Sequence, residues 1–491
     1  MTETPNILLI MADQFTPYMM NTYGCKVAKT PNLDKLGCES AVFENAYSNC
    51  PVCAPARASM MAGLYCSKTE VYDNGTIMPS DIPTFADYLN HMGYDTVLSG
   101  KMHFIGPDQL HGFSKRLTSD VYPASNAWLY DARMNKREKV MGDVGIKINS
   151  YIKAEGLQKK YGIMPNPKFF NYDDETAMQA KSYIRDANKK KKPFCLCASF
   201  HHPHMPLKVT KRLWDLYENV EIPMPTYPEN MEEKYSDMDK WVNHFTGADE
   251  YKITNMDELK EARRCYLALT SYIDEKVGEL LEELEENGLA ENTIVMFTSD
   301  HGDMLGEKGM VEKRVFYEWS AKVPMLIKFP NKEFAGQRIT APVSLIDILP
   351  TILDIVNFPK ESTLPYDGKS MLAVAKGEIN EPVYSEFHVE GVKSTCFMLR
   401  NDRYKYIYIT GFKHQLFNLE NDKDEWNNLI DDENYSKIKN AMKQQILDKF
   451  NPEKIENDIQ HKLTTNAFIR KSTMQSKVNW AYVPKYENIS N

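Results

Sequence analysis

A chain of 491 residues is too long for one simple core, and its 42% apolar fraction is enough to bury two domains that share an interface. The net charge of -9 excludes an extended nucleic-acid or anionic-membrane surface, since either needs a net basic face, so an anionic substrate must meet a local positive site. The opening MTETPNILLIMADQ lacks a basic region followed by a long apolar stretch, no run approaches a membrane span, and nine scattered cysteines fit reduced thiols. A cytoplasmic protein without nucleic-acid or membrane partners is the expectation.

In chain order, short apolar runs alternate with longer amphipathic stretches through the first 375 residues, which predicts a mainly parallel sheet with helices on its faces. Asn6 to Met11 reads as a strand, and a helix follows from Thr30-Pro31, with Thr as N-cap and Pro at the first helical position. A second helix spans Pro83 to Met92 and is closed by Gly93, before a strand at Thr96 to Leu98. Pro193 to Phe200 reads as a buried strand, so Cys195 and Cys197 within it are expected to pack in the core. Met256 to Asn287 is charged and periodic and reads as a long helix, followed by strands at Thr293 to Thr298 and Val323 to Phe329 and a helix over Leu345 to Val356.

Beyond Glu381 the pattern becomes aromatic and alternating, at Val383 to Phe387, Cys396 to Leu399, Tyr404 to Ile409 and Gln415 to Leu419. These segments predict a small antiparallel sheet. A polar helix to about Phe450 and a tail carrying Trp480, Tyr482 and Tyr486 complete the chain. The expected division is a catalytic α/β domain over 1–375 and a smaller C-terminal domain over 376–491.

Four predicted strands run straight into polar clusters: Asp13-Gln14, Lys101-Met102-His103, His201-His202-Pro203-His204 and Asp300-His301-Gly302-Asp303. The carboxyl ends of parallel strands share one edge, where ligands bind, so the four clusters should converge. Asp13, Gln14, Asp300 and His301 offer carboxylate, amide and imidazole donors, which suit a hard or borderline divalent cation with open positions. A fifth element, Cys50 to Arg57, places Cys53 just ahead of a helix whose start is marked by Pro55, where free amides favour an anion and Arg57 adds a planar cation.

Cys53-x-Pro55-x-Arg57 followed by Ala-Gly-Leu resembles the sulfatase signature, with Ala56 where many members carry serine. The likeness continues through Asn6 to Asp13, Thr30 to Leu36, Ser99-Gly-Lys101-Met-His103 and Ser299 to Gly306. Tyr72 to Gly75, Gly100 to Phe113, Asp120 to Ala124 and Tyr317 to Pro324 are most similar to choline-sulfatases.

The resemblance implies the alkaline phosphatase superfamily fold, a large α/β domain with a smaller C-terminal domain. It also implies conversion of Cys53 to formylglycine by a maturation enzyme, and a divalent metal, calcium before manganese or magnesium, at Asp13, Gln14, Cys53, Asp300 and His301. One hydroxyl of the hydrated aldehyde then attacks sulfur. His103 is the expected base for the second hydroxyl, while Lys101 and Arg57 neutralise charge. Lys313, with His201 or His202, would bind the sulfate group and protonate the leaving oxygen, and Asn74 would donate to the sulfate. A related phosphonate or phosphate-ester hydrolase, an aryl or carbohydrate sulfatase and a silent binding protein are the alternatives.

For choline O-sulfate, Trp128 would supply an aromatic face. The tail, which helps close the site in choline-sulfatases, often across a subunit contact, implies a homo-oligomer. Here Trp480-Ala481-Tyr482 lacks the Asp that usually follows the Trp, and Leu129 to Ile146 is rich in Lys and Arg, which suits a more anionic small-molecule ester.

Overall fold

The computed structural model describes residues 4–125, 161–190, 192–248, 255–477 and 480–482. In chain order the strands of the large sheet are β1 (Asn6–Asp13), β2 (Ala41–Phe43), β3 (Asp95–Gly100), β4 (Lys115–Arg116), β5 (Phe194–Pro203), β6 (Thr293–Thr298), β7 (Met325–Lys328) and β8 (Arg338–Ile339). They lie in the order β8-β2-β7-β6-β1-β5-β3-β4. From β6 to β4 every pairing is parallel, while β7 runs antiparallel to both β6 and β2.

Alternation along β1 sorts the core into two layers. Leu8, Ile10 and Ala12 face α1 (Pro31–Cys38), α4 (Lys168–Lys190) and α6 (Met256–Glu286), while α5 (Asp237–Thr246) packs in a separate cluster. Ile7, Leu9 and Met11 face α2 (Cys53–Ala62), α3 (Phe85–His91) and α7 (Ile348–Ile355). Both faces of the strand are therefore apolar, as a sheet covered on each side requires. Cys195 and Cys197 lie in the second of these layers with no exposure.

The expected strand Val323 to Phe329 is broken at Pro324. Lys322–Val323 pairs with Ala46–Tyr47 in a separate small sheet, and Met325–Lys328 joins the large one. Proline has no N–H for a ladder, so the change of partner falls there. The helix expected from Pro83 starts at Phe85, because Thr84 caps it and Asp87 closes a capping box.

A second sheet is antiparallel throughout: β9 (Val383–Phe387), β10 (Cys396–Arg400), β11 (Tyr404–Ile409) and β12 (Gln415–Asn418) in sequence order. After α8 (Ser436–Lys449) the polar tail forms a further helix, α9 (Pro452–Ser476), that the sequence reading missed. Asn451 caps it by accepting from Lys454 N, with Pro452 in its first turn, and Ile455 and Ile459 anchor it in the core, so two residues per twenty-five gave no visible stripe. No helix among the described residues is long and apolar enough to cross a membrane.

Candidate active site

The polar ends of β1, β3, β5 and the turn after β6 meet at one edge of the sheet. Each turn is tight. Gln14 and His103 have positive φ (62° each), and at Gly100 a Cβ would stand 2.0 Å from Ser199 O. Buried carboxylates hold these turns by taking neighbouring backbone amides. Asp300 Oδ1 accepts from Gln14 N and His301 N, both at 3.0 Å. Asp120 Oδ2 accepts from Met102 N (2.9 Å) and His103 N (2.8 Å), and Asp173 from His201 N (2.6 Å) and His202 N (3.1 Å).

Cys53 occupies the first position of α2 rather than the residue ahead of it; the extended Val52 is the cap. Ala54 N donates to Asn74 Oδ1 at 2.9 Å, which leaves the Asn74 amide nitrogen as its donor. The Cys53 Sγ lies 3.2 Å from His301 Nε2. Since His301 Nδ1 is 2.9 Å from Gly302 O, a pure acceptor, Nδ1 carries the proton and the Nε2 lone pair points at residue 53.

Arg57 is fully buried. Nε donates to Asp300 Oδ2 (2.8 Å), one terminal nitrogen to Asp13 Oδ2 (3.0 Å) and the other to Lys101 O (2.7 Å) and Ser199 Oγ (2.9 Å). Its fork thereby fixes both carboxylates and the Lys101 turn. The Lys101 ammonium lies 2.5 Å from Asp13 Oδ2 and 4.5 Å from the Tyr122 ring centre.

Burial alone would push the Asp13 carboxyl up, but Lys101 and Arg57 outweigh it and hold it well below the usual carboxylate range. Burial, reinforced by the Asp13 charge, pushes the Cys53 thiol up to about 12. A thiol so poorly ionised is a weak nucleophile. Burial and Lys101 together bring His103 down to about 3, so this imidazole is neutral.

Of the histidines after β5, His204 is the one at Lys313: its Nε2 is 3.0 Å from Lys313 Nζ. His204 Nδ1 gives its proton to Met205 O at 2.8 Å, so Nε2 accepts from the ammonium. His202 instead turns Nδ1 to Asp173 Oδ2 at 2.6 Å, and His201 packs against Phe169 with ring centres 4.3 Å apart. Lys313 Nζ also donates to Gln14 Oε1 at 2.5 Å, and Gln14 Nε2 donates to Asp303 Oδ2.

The donor set fits a divalent ion. Ligand atoms of Asp13, Cys53, Asp300 and His301 all lie within 4.8 Å of one another, and all four residues are buried. Two carboxylates and an imidazole lone pair so close together are the donors that a cation neutralises. Gln14 adjoins the set, and its Oε1 keeps a second lone pair besides the one given to Lys313. Trp128 lies outside the described residues.

The sulfatase family model matches residues 5–358. This chain belongs to the sulfatase family. It is a sulfuric ester hydrolase with the alkaline-phosphatase-like fold, and its C-terminal part, 306–451, matches the model described as N-sulphoglucosamine sulphohydrolase, C-terminal. This sulfatase is 38% identical over 439 residues to a choline-sulfatase of Rhizobium meliloti, covering 88% of this chain and 83% of that one. It is 30% identical to an arylsulfatase of Clostridium perfringens, over 88% of this chain and 91% of the other. Among solved structures, a 2-O GAG sulfatase superposes with a TM-score of 0.71 at 23% identity, covering 94% of each chain. A phosphonate monoester hydrolase of Agrobacterium radiobacter superposes at 0.70 with 22% identity, covering 90% of this chain and 95% of that one.

The sequence picked out the residues that touch the sheet edge directly. It passed over Asp120, Tyr122, Asp173 and Ser199, which act on those residues from behind. Asp120 and Tyr122 lie in a stretch read only for its family likeness, and Asp173, on a helix face, carries no local signal.

Proposed function

We propose that this sulfatase hydrolyses a sulfate monoester of a small alcohol with a formylglycine made from Cys53 by a maturation enzyme, beside a divalent cation, calcium first, held by Asp13, Gln14, Asp300 and His301. The observation that carries this reading is the position of Cys53: first residue of a buried helix, with ligating atoms of two carboxylates and one imidazole within 4.8 Å. A hydrated aldehyde would offer hydroxyl oxygens to a cation in this set, ligands that suit a hard divalent ion better than a sulfur does. A cation bound in this set would supply Lewis acidity, making a hydroxyl more acidic and neutralising sulfate oxygens.

The chain's own groups account for the remainder. Arg57 holds Asp13 and Asp300 in place, and Lys101 adds positive charge beside residue 53. His103, neutral, takes the proton of the second hydroxyl as the aldehyde reforms. Lys313 gives a proton to the departing oxygen, and neutral His204 orients that ammonium by accepting from it. Asn74, whose oxygen is occupied by Ala54 N, donates its amide to the sulfate.

Mass spectrometry of the peptide containing residue 53, from a host with a competent maturation system, tests the reading. An aldehyde in place of the thiol is expected, and Cys53→Ala should abolish turnover of 4-nitrophenyl sulfate. Full activity with an unmodified Cys53 would sink it. Choline O-sulfate, a carbohydrate sulfate and a phosphonate monoester, assayed side by side, separate the substrate classes.

A further inference from the structure

His201 differs from its two histidine neighbours in what its ring nitrogens do. His202 gives Nδ1 to Asp173, while His204 gives Nδ1 to Met205 O and turns Nε2 to Lys313. Among the described residues both ring nitrogens of His201 lack a hydrogen-bond partner, although the residue is 0% exposed. Its backbone is fixed by Asp173, and its ring is surrounded by rings: Phe169 at 4.3 Å, His204 at 5.0 Å and the edge of Tyr122 at 6.0 Å. A buried polar group left in this state carries a penalty that an arriving partner relieves.

The position of the ring says what that partner is part of. His201 stands one ring away from His204, whose Nε2 is 3.0 Å from Lys313 Nζ and 3.9 Å from Asp13 Oδ1. Through Tyr122 it also adjoins Lys101. On the reading given above, this is the side on which the alcohol leaves. Its burial does not set it apart, because Lys101, which on the same reading stands beside the attacking group, is equally closed to solvent.

We propose that His201 is a substrate-contacting residue that recognises a hydroxyl on the carbon next to the ester, so that the alcohol is a hydroxylated ring of the carbohydrate type rather than a quaternary ammonium alcohol. A neutral imidazole carries one donor and one acceptor, which matches a hydroxyl, whereas a trimethylammonium group has neither a hydrogen for the acceptor nor a lone pair for the donor. Burial, followed by the charge of Lys101, keeps His201 neutral, which removes it as a counter-ion. The Phe169 and Tyr122 rings beside it would suit the C–H face of such a ring and a quaternary ammonium alike, so it is the two ring nitrogens of His201 that decide between the alcohols.

Cyclohexyl sulfate and trans-2-hydroxycyclohexyl sulfate differ by that single hydroxyl and form the test pair, with choline O-sulfate as a third ester. On the matured enzyme kcat/KM should favour the hydroxylated ester by about tenfold or more. His201→Phe, which keeps a ring against Phe169, should bring the ratio to about one, and His201→Asn, which keeps a donor and an acceptor, should restore part of it. The same ratio read by calorimetric binding to Cys53→Ala protein requires no aldehyde. Absence of all turnover by wild-type protein shown to carry the aldehyde, 4-nitrophenyl sulfate included, would therefore count against the formylglycine reading while the binding ratio still decides this one. Equal affinity for the two cyclohexyl esters, a preference for choline O-sulfate over both, or a hydroxyl preference that survives His201→Phe overturns the proposal.

Discussion

His204 Nε2 accepts from Lys313 Nζ at 3.0 Å, and the proton on His204 Nδ1 is fixed by Met205 O. The imidazole therefore points a lone pair at the ammonium, and burial together with Lys313 itself holds it well below the ordinary histidine range. On the proposed mechanism the proton for a departing alcohol would come from lysine, with histidine setting its direction. Lys313→Ala should lower kcat/KM for alkyl sulfates by about 10²-fold or more, with a much smaller effect on activated aryl sulfates, which need little protonation. His204→Ala should show the same selectivity at about tenfold. His202→Ala should instead lower Tm through the loss of Asp173's partner. Steady-state kinetics on the two ester types, with a melting curve for each variant, checks the division.

Strand periodicity and the identity of residues at strand ends made the sheet and most of the site legible, because both depend on short-range pattern. β6 and β11 fall where alternation and apolar runs put them. What depended on distant partners was not legible. Nothing near His201 to His204 tells which ring turns to Lys313, since that is decided by Asp173 on α4 and by Met205 O. The long helix α9 was hidden for a related reason: most of its face meets solvent, so no apolar stripe marked it.

Removal of the metal should uncover the charge that the site gathers. Asp13 and Asp300 are each bound to Arg57, so a fully chelated protein retains two compensated carboxylates and should stay folded with a lower Tm. Sulfate-ester turnover should disappear and return with one cation, calcium expected ahead of manganese and magnesium. Undiminished turnover after exhaustive chelation, verified by elemental analysis, contradicts the ligand assignment.

A second buried charge cluster joins the small sheet to the turn after Lys313. Lys405 Nζ is 2.7 Å from both Glu318 Oε1 and Glu425 Oε1. Burial would raise the Glu318 carboxyl, but Lys405, Lys322 and Arg400 together outweigh it and hold it at about 2. A folded-state value below the unfolded one stabilises the protein above the unfolded pKa of about 4.5, and that contribution is lost as pH falls from about 4.5 towards 2; burial and the Glu318 charge raise the neighbouring Glu425 carboxyl and offset part of it. Glu318→Gln should therefore lower Tm at pH 7, and the gap from wild type should close on acidification. A gap that stays constant with pH assigns the effect to packing.

Asp120 supports the opposite wall. Its Oδ2 takes Met102 N, His103 N and Arg116, at 2.9, 2.8 and 2.7 Å, and Oδ1 takes Tyr122 N at 3.3 Å. Burial would raise this carboxyl, yet the Arg116 guanidinium first and His103 next bring it down to about 2, so it stays ionised throughout the working range. His103 sits at φ 62°, a conformation costly for a non-glycine residue and held here by the two amide bonds to Asp120. Asn at 120 retains one acceptor oxygen but turns an N–H towards a face where Asp120 now only accepts, so His103 should lose its fixed direction while Lys101, held separately by Asp13, keeps its own. On 4-nitrophenyl sulfate, Asp120→Asn should leave the first release of nitrophenol nearly as fast as in wild type and slow the steady state about tenfold or more, because on the proposed mechanism His103 serves only the later step. Rapid-mixing kinetics resolves the two phases. Equal slowing of both would mean that Asp120 supports the whole edge of the sheet and not His103 in particular.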